Sequence, residues 1–401
     1  MRPLLALTFV FAASTARAEE PHLPTWPVEL QSDVVKIAKG FNGEFALYVK
    51  DLSTGVKYTY NANTPMYLAS GVKVPVMIAL FKQIRAGQTT LDEEMIYTAA
   101  DVRDGAPLLS FLRVGTPVSL RILVEAMIQQ SDNAATDMVI RHVGLENVNA
   151  VLKEMGLEGF GPITTLLDVR RLVYRQIDTR TASFSPQDIF SLGVTRPLEK
   201  RLLKFTQMLD EPPGTFTTSD YSRAFYDYYA QGYNTAPVSA MGALLEQLAT
   251  GKVIDGAASE AMIKVMLGTE TGRRRVRAGL PDSIPLAHKT GTQFRRICDF
   301  SVFYMSEKRP VVFAIAVKNS GRKRSEDVVA RLAKRTYWHL ASPAERREAM
   351  RRPPPPPAPE DPLDGLDPEE EDLLTPDLGK KAPPKKRKGK ARRKKKRASR
   401  D

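Results

Sequence analysis

Three short patterns in this chain collect the residue types needed for acyl transfer: Ser70-Gly71-Val72-Lys73, Ser131-Asp132-Asn133 and Lys289-Thr290-Gly291. A serine hydroxyl is a poor nucleophile until a neighbouring base takes its proton. If Ser70 opens a helix, Lys73 lies one turn later on the same face, with its amine in reach of the hydroxyl. The helix N-terminus adds a positive field and a free backbone N–H where an oxyanion develops. Ser131 is placed to relay a proton to a leaving nitrogen, and Asn133 to hold Lys73 or a substrate amide. On a strand, Gly291 lets a ligand approach the backbone closely. Lys289 supplies charge there, and the Thr292 N–H is the second oxyanion donor beside that of Ser70. The base is either Lys73 itself or a relay through Ser131.

Taken singly, each pattern has an ordinary reading. Ser70 is then an N-cap, Lys73 a solvated helix lysine, Ser131-Asp132-Asn133 a capping turn and Lys289 an edge charge. At average composition S-x-x-K arises about once by chance in a chain of this size. Indeed a second one, Ser320 to Lys323, sits in a polar loop with no apolar helix after it and reads as coincidence. Each of the other two patterns has roughly a 5–10% chance of appearing, and all three in order less than about 1%. The joint pattern therefore outweighs the separate ordinary readings. Rival chemistries lack their residues. The histidines are His22, His142, His288 and His339. His288, beside Lys289, points to the opposite face of its strand, so no Ser-His-Asp triad forms. No Cys/His cluster suits zinc and no glycine loop suits a nucleotide, so no cofactor or metal is expected.

The elements that must position these residues are legible in outline. Glu44 to Asn61 alternates around Asp51-Leu52-Ser53-Thr54-Gly55 and reads as two antiparallel strands and a turn. Helices are predicted over 70–84, 119–142, 146–155, 235–248 and 257–267, with a break after Gln130 that puts Ser131 to Asn133 in a loop. Strands are predicted over 284–292, 298–304 and 311–317, then a closing helix over 326–340. Strands come first and last with helices between. One sheet must therefore be assembled from both ends of the chain around an inserted helical region, roughly 70–250, in an α/β (α+β) fold.

At these residues the sequence resembles the serine β-lactamases and penicillin-binding proteins, and is most similar to class A β-lactamases. The resemblance covers about Glu44 to Leu340. It includes Thr271-Gly272-Arg273-Arg274-Arg275-Val276-Arg277-Ala278-Gly279-Leu280-Pro281 before the third motif. It implies an antiparallel sheet flanked by helices, an all-helical lobe, and a site between them. It further implies β-lactam ring hydrolysis through an acyl-enzyme at Ser70, with Asn133, Thr290, Gly291, Thr292 and Arg275 binding substrate, Arg275 through a carboxylate. Related readings are a D-alanyl-D-alanine carboxypeptidase, or a penicillin-binding protein that deacylates slowly. A reading of another class is an idle protein whose cleft only grips cell-wall peptide. One departure stands out. Class A enzymes carry a water-activating glutamate in Glu-x-x-Leu-Asn, and no such motif is found. Thr165-Leu166-Leu167-Asp168 resembles its approach, but Arg171 then falls at the matching position. Asp168, Glu199 and Asp227 are candidate replacements. The stretch 178–234 is also much longer than the family pattern leads one to expect.

The ends of the chain differ from its body. Met1-Arg2, an apolar run from Pro3 to Ser14 and Ala16-Arg17-Ala18 read as a signal peptide cleaved after Ala18, implying a secreted or periplasmic protein. No later stretch is long and apolar enough for a transmembrane helix. A single cysteine, Cys298, rules out a disulfide within the chain. The net charge of +13 comes from a tail: residues 380–401 hold 14 basic residues and one acid, and the other 379 carry 45 charges of each sign. Residues 346–401, proline-rich, then acidic, then basic, read as a disordered tail. Given export, anionic lipid or envelope polymers fit this tail better than nucleic acid. Deleting 351–401 is therefore expected to leave covalent labelling of Ser70 by a penicillin unchanged, while retention on anionic vesicles at low salt falls. Equal retention of the two forms would leave the tail without an electrostatic role.

Overall fold

A computed structural model describes residues 24–305 and 309–351. The predicted signal segment, 1–18, and most of the predicted tail lie outside the described residues. The ends of the described chain build one antiparallel sheet. Strands β1 (Glu44–Asp51) and β2 (Lys57–Tyr60) come from the N-terminal side. Strands β7 (Leu286–Gln293), β8 (Arg296–Tyr304) and β9 (Pro310–Lys318) come from the other, in the order β2-β1-β9-β8-β7. Three short strands lie in two small ladders outside this sheet: β3 (Pro65–Tyr67) pairs β6 (Thr235–Pro237), and β4 (Glu94–Ile96) pairs β5 (Pro117–Ser119).

The alternation of side chains along the strands serves two cores. Phe45, Leu47, Val49, Phe313 and Ile315 face one side and pack with helix α1 (Trp26–Lys39) and the closing helix, Arg322–Leu340. Ala46, Tyr48, Phe300, Ala314 and Ala316 face the other side. There they meet α2 (Lys73–Arg85), α3 (Leu120–Gln129), α4 (Asn133–Val143), α5 (Leu145–Glu154) and later helices. Because β9 is covered on both faces, its sequence reads as a nearly continuous apolar run, while β8, equally buried, carries Asp299 and Ser301 inside the protein. The expected strands, helical lobe and closing helix are all present. The break expected after Gln130 is present and divides the run 119–142 into α3 and α4 around Ser131. Two boundaries differ: the predicted helix at 235–248 starts as β6, and the closing helix begins at Arg322 rather than 326.

The long stretch after residue 165 folds as four further helices, α6 (Leu166–Ile177), α7 (Pro186–Val194), α8 (Leu198–Met208) and α9 (Thr218–Ala230). These were not predicted as elements. They have their own core, rich in aromatics: Tyr174 stacks on Phe205 at 5.4 Å, and Phe225 on Phe294 at 5.2 Å. Tyr67 and Ala69, just before Ser70, belong to the same cluster. The chain continues through α10 (Val238–Ala249), α11 (Gly256–Leu267), α12 (Val276–Gly279), α13 (Arg322–Leu340) and α14 (Pro343–Arg351). Phe205 is completely buried and touches the Tyr174, Phe184 and Phe216 rings. Phe205→Ala is expected to cost about 3–5 kcal/mol, measured as a fall in chemical-denaturation stability. A change below 1 kcal/mol would mean that this cluster is not a packed core.

Candidate active site

Ser70 sits in a single 3-10 turn, Ala69–Val72, that leads directly into α2. Ala69 enters this turn with φ at +46°, a left-handed conformation rarely adopted without glycine and sustained only by its surroundings. The turn is pressed against the edge of the sheet. A Cβ on Gly71 would meet the Phe300 ring, and one on Gly291 would lie 2.8 Å from both Leu68 O and Ser70 N. Both glycines are there because two backbones approach too closely for a side chain. Behind them the Cys298 thiol donates to Leu68 O at 3.0 Å, and burial pushes this thiol up to about 12.

Lys73, on the first turn of α2, is completely buried. Its Nζ donates to Ser131 O at 2.5 Å, Asn133 Oδ1 at 2.9 Å and Ser131 Oγ at 3.1 Å. Lys289, on β7, is equally buried and donates to the same Ser131 Oγ at 3.0 Å and to Thr290 O at 2.9 Å. Burial, and then the nearby Lys289 charge, hold the Lys73 amine well below its usual pKa; Asp132 and Asp137 oppose this less strongly. A lysine in that state can accept a proton at ordinary pH.

The second motif is anchored by Asp132, which is fully buried. Its Oδ1 caps α4 by accepting from Ala135 N at 2.8 Å, while Oδ2 accepts from Leu108 N at 3.1 Å and Leu109 N at 3.0 Å. This tie lets Ser131 hold φ at +62°. Asn133 is fixed from the same loop, donating through Nδ2 to Asp104 O at 2.9 Å and through its backbone to Gly105 O at 3.0 Å. Asp132 is thus a scaffold residue between the two residues that face Lys73.

Strand β7 is the edge of the sheet, so one side of its backbone is left without a ladder partner. The Thr290 carbonyl faces the Lys289 amine. By the two-residue period, the backbone groups of Thr292 face the same open side. The Thr290 hydroxyl pairs with Thr271 Oγ1 at 2.6 Å. His288 points the other way, as expected, with Nδ1 3.0 Å from Asp299 Oδ1. Arg275 requires a correction to its expected direct grip on a substrate carboxylate. Its side chain is only 1% exposed, with Nη1 on Gly291 O at 2.9 Å and Cys298 O at 3.1 Å and with Glu326 beside it. It reaches toward the cleft only through Nη2, which donates to Thr292 Oγ1 at 2.5 Å. It supports the strand and aims a hydroxyl.

The positions considered for water activation lie elsewhere. Arg171 turns to Asp168 at 3.6 Å and Phe184 O at 3.4 Å. Asp168 caps α6 with Thr165, and Glu199 and Asp227 are exposed on α8 and α9. Sequence reasoning missed the neighbouring residue, Arg170, whose Nη2 donates to Asp104 Oδ2 at 2.6 Å and whose Nη1 lies 3.5 Å from Gln293 Oε1. It also missed Asp137, which accepts from Leu166 N at 2.7 Å and Leu167 N at 3.0 Å and so pins α6 to the helix of the second motif. An acid one helical turn beyond Asn133 was the only available signal.

A five-stranded antiparallel sheet with helices on both faces, its edge strand closing on a serine at a helix start, is the class A β-lactamase fold. The chain belongs to the β-lactamase enzyme family, whose model matches residues 29–340. It is 23% identical over 284 residues to Beta-lactamase 3 of Bacillus cereus, covering 70% of this chain and 71% of that one. It is 21% identical over 308 residues to an imipenem-hydrolyzing beta-lactamase of Enterobacter cloacae, covering 76% and 86%. Among solved structures, a beta lactamase from Xanthomonas campestris superposes with a TM-score of 0.60 at 17% identity, covering 79% of this chain and 99% of that one. A beta-lactamase from Chitinophaga pinensis gives 0.59 at 21%, covering 78% and 99%.

The like charge of Lys289 is one cause of the low Lys73 pKa, so removing it must raise that pKa. If Lys73 acts as the base, the acidic limb of the acylation pH profile marks its loss of a proton. In Lys289→Gln that limb is expected to move to higher pH, whatever happens to the maximal rate. A limb that stayed put or moved to lower pH would separate it from Lys73.

Proposed function

We propose that this protein is an active-site-serine hydrolase acylated by β-lactams at Ser70. The observation that carries the reading is the meeting of the Lys73 and Lys289 amines on Ser131 Oγ, with Lys73 one helical turn after Ser70 in the chain. Neutral Lys73 takes the Ser70 hydroxyl proton as Oγ bonds to the lactam carbonyl carbon. The backbone N–H groups of Ser70 and Thr292 receive the oxyanion. When the C–N bond breaks, the proton passes from Lys73 through Ser131 Oγ to the leaving nitrogen. Asn133 holds the substrate amide. The ring carboxylate meets Lys289 and the Thr290 and Thr292 hydroxyls, with Gly291 leaving the strand open and Arg275 positioning Thr292. The export expected from residues 1–18 would suit a substrate of the cell envelope.

The finer choice is between a β-lactamase and a D-alanyl-D-alanine peptidase or penicillin-binding protein whose adduct persists. One observation favours persistence: no Glu-x-x-Leu-Asn motif is found, and at the start of α6, where Thr165-Leu166-Leu167-Asp168 resembles its approach, Arg171 stands at the matching position and is paired with Asp168. General-base catalysis is typically worth about 10²–10⁴-fold, so deacylation should be slower by that order than in an enzyme possessing the base. Mixing with a chromogenic cephalosporin and following the adduct by intact mass tests this. The expected result is rapid adduct formation with slow release in the natural chain, and no adduct in a folded Ser70→Ala variant. Labelling that survives in Ser70→Ala overturns the mechanism. Vigorous turnover overturns the assignment of slow deacylation, and no adduct at all in the natural chain favours the idle binding protein.

A further inference from the structure

Two ion pairs line the wall formed by α4, α6 and the loop before residue 109, and they differ in a telling way. Arg103 pairs with Asp137 at 2.7 Å, with the two side chains 9% and 3% exposed. The Arg103 guanidinium also donates to the Ala100 and Val102 carbonyls, at 2.6 and 2.8 Å, so it is closed into the protein. Arg170 pairs with Asp104 at 2.6 Å, but its side chain is 25% exposed. Its other contact is the long one, 3.5 Å, to Gln293 Oε1. Tyr221 and Tyr174 lie near enough to interact with its charge, but among the described residues no further hydrogen bond reaches this guanidinium, although it carries five N–H donors.

The position of Arg170 gives those donors a direction. Asp104, which holds it, also holds Asn133 through its carbonyl. Gln293 is the last residue of β7, immediately after Thr292. Arg170 thus bridges the residue that receives a substrate amide and the end of β7 farthest from Lys289 and Thr290. That is the side on which the acyl portion lies when the carboxylate end is at Lys289. Burial works against its charge, but Asp104, with Tyr221 and Tyr174 adding to it, more than offsets this, so the group stays a cation.

We propose that Arg170, oriented by Asp104, is a specificity-determining residue that anchors a carboxylate on the acyl portion of the substrate. This rests on the acylation reading above. A planar guanidinium with one edge fixed and another free suits a carboxylate better than a neutral group. Acyl donors bearing an anionic side group should therefore be preferred, with a gain of about tenfold in acylation.

The test uses benzylpenicillin and its α-carboxy analogue, carbenicillin, on the full chain, reading the second-order rate constant of Ser70 adduct formation by mass. The ratio of the rate constants for carbenicillin and benzylpenicillin, which differ in the charge of the acyl side group, is compared between the natural chain and Arg170→Gln. A paired Arg170→Gln/Asp104→Asn variant avoids leaving Asp104 buried and alone, and Arg170→Lys tests charge without the planar fork. The ratio is expected to fall about tenfold in both glutamine variants and to recover in part with lysine. Equal loss for both penicillins, or an unchanged ratio, would make Arg170 a scaffold residue and overturn the proposal. If neither penicillin acylates the natural chain, the acylation reading fails first and takes this proposal with it.

Discussion

Two lysine ammonium groups cannot both keep their full charge on one serine oxygen in a dry cleft. Lys73 and Lys289 meet in this way on Ser131 Oγ, and much of the surrounding structure holds them there. In water two such charges would separate or be screened. Here both stems are fully buried, and the balance is met by lowering the proton affinity of one amine. Asp132 and Asp137 temper the effect from behind. Their carboxylates are spent on backbone N–H groups and, for Asp137, on Arg103.

The sheet and the helical lobe divide this task. Ser70 and Lys73 come with α2, Ser131 and Asn133 with the α3–α4 loop, and Lys289 with the edge strand. None of these elements contacts the others through its reactive groups alone. Gly71 and Gly291 bring the strand against the helix start, Asp132 fixes the loop, and Arg275 braces the strand from beneath. Substitution at the scaffold positions would therefore disturb the cluster without removing any group in it.

What the sequence disclosed followed the strength of its local signals. An apolar run bounded by turns marked β9, and the β-branched and aromatic residues around Asp299 and Ser301 marked β8, both strands being buried on both faces. The three motifs were readable because their spacings match one helical turn, one tight loop and one strand. The helices α6–α9 were not singled out, although α6 and α8 carry a helical period, with Leu167, Val173 and Tyr174 of α6 and Leu198, Leu202 and Phe205 of α8 buried; only α9 is dominated by tyrosine and phenylalanine, which blur the contrast between its buried and exposed faces. Arg170 escaped for a different reason. Beside Arg171, in a helix with a third arginine, Arg175, nothing in residue type distinguishes the one that pairs with Asp104. Only the Asp104 carboxylate, 66 positions away in the chain, selects it. Arg275 was expected to face the ligand, yet the backbone carbonyls of Gly291 and Cys298 claim it, and those are invisible to any reading of side chains.

The strand order also sets a timetable. β1 pairs along its whole length with β9, from Glu44 opposite Lys318 to Asp51 opposite Val311. During synthesis the β1–β2 hairpin therefore waits, one edge bare, while more than two hundred residues of largely helical chain emerge. That helical chain can settle through near-neighbour contacts, whereas the sheet cannot close until nearly the whole described chain has been made. An unfinished chain thus displays an apolar strand edge suited to pairing with another nascent copy. Any translocating or chaperoning machinery that handles this protein must shield that edge until β9 arrives.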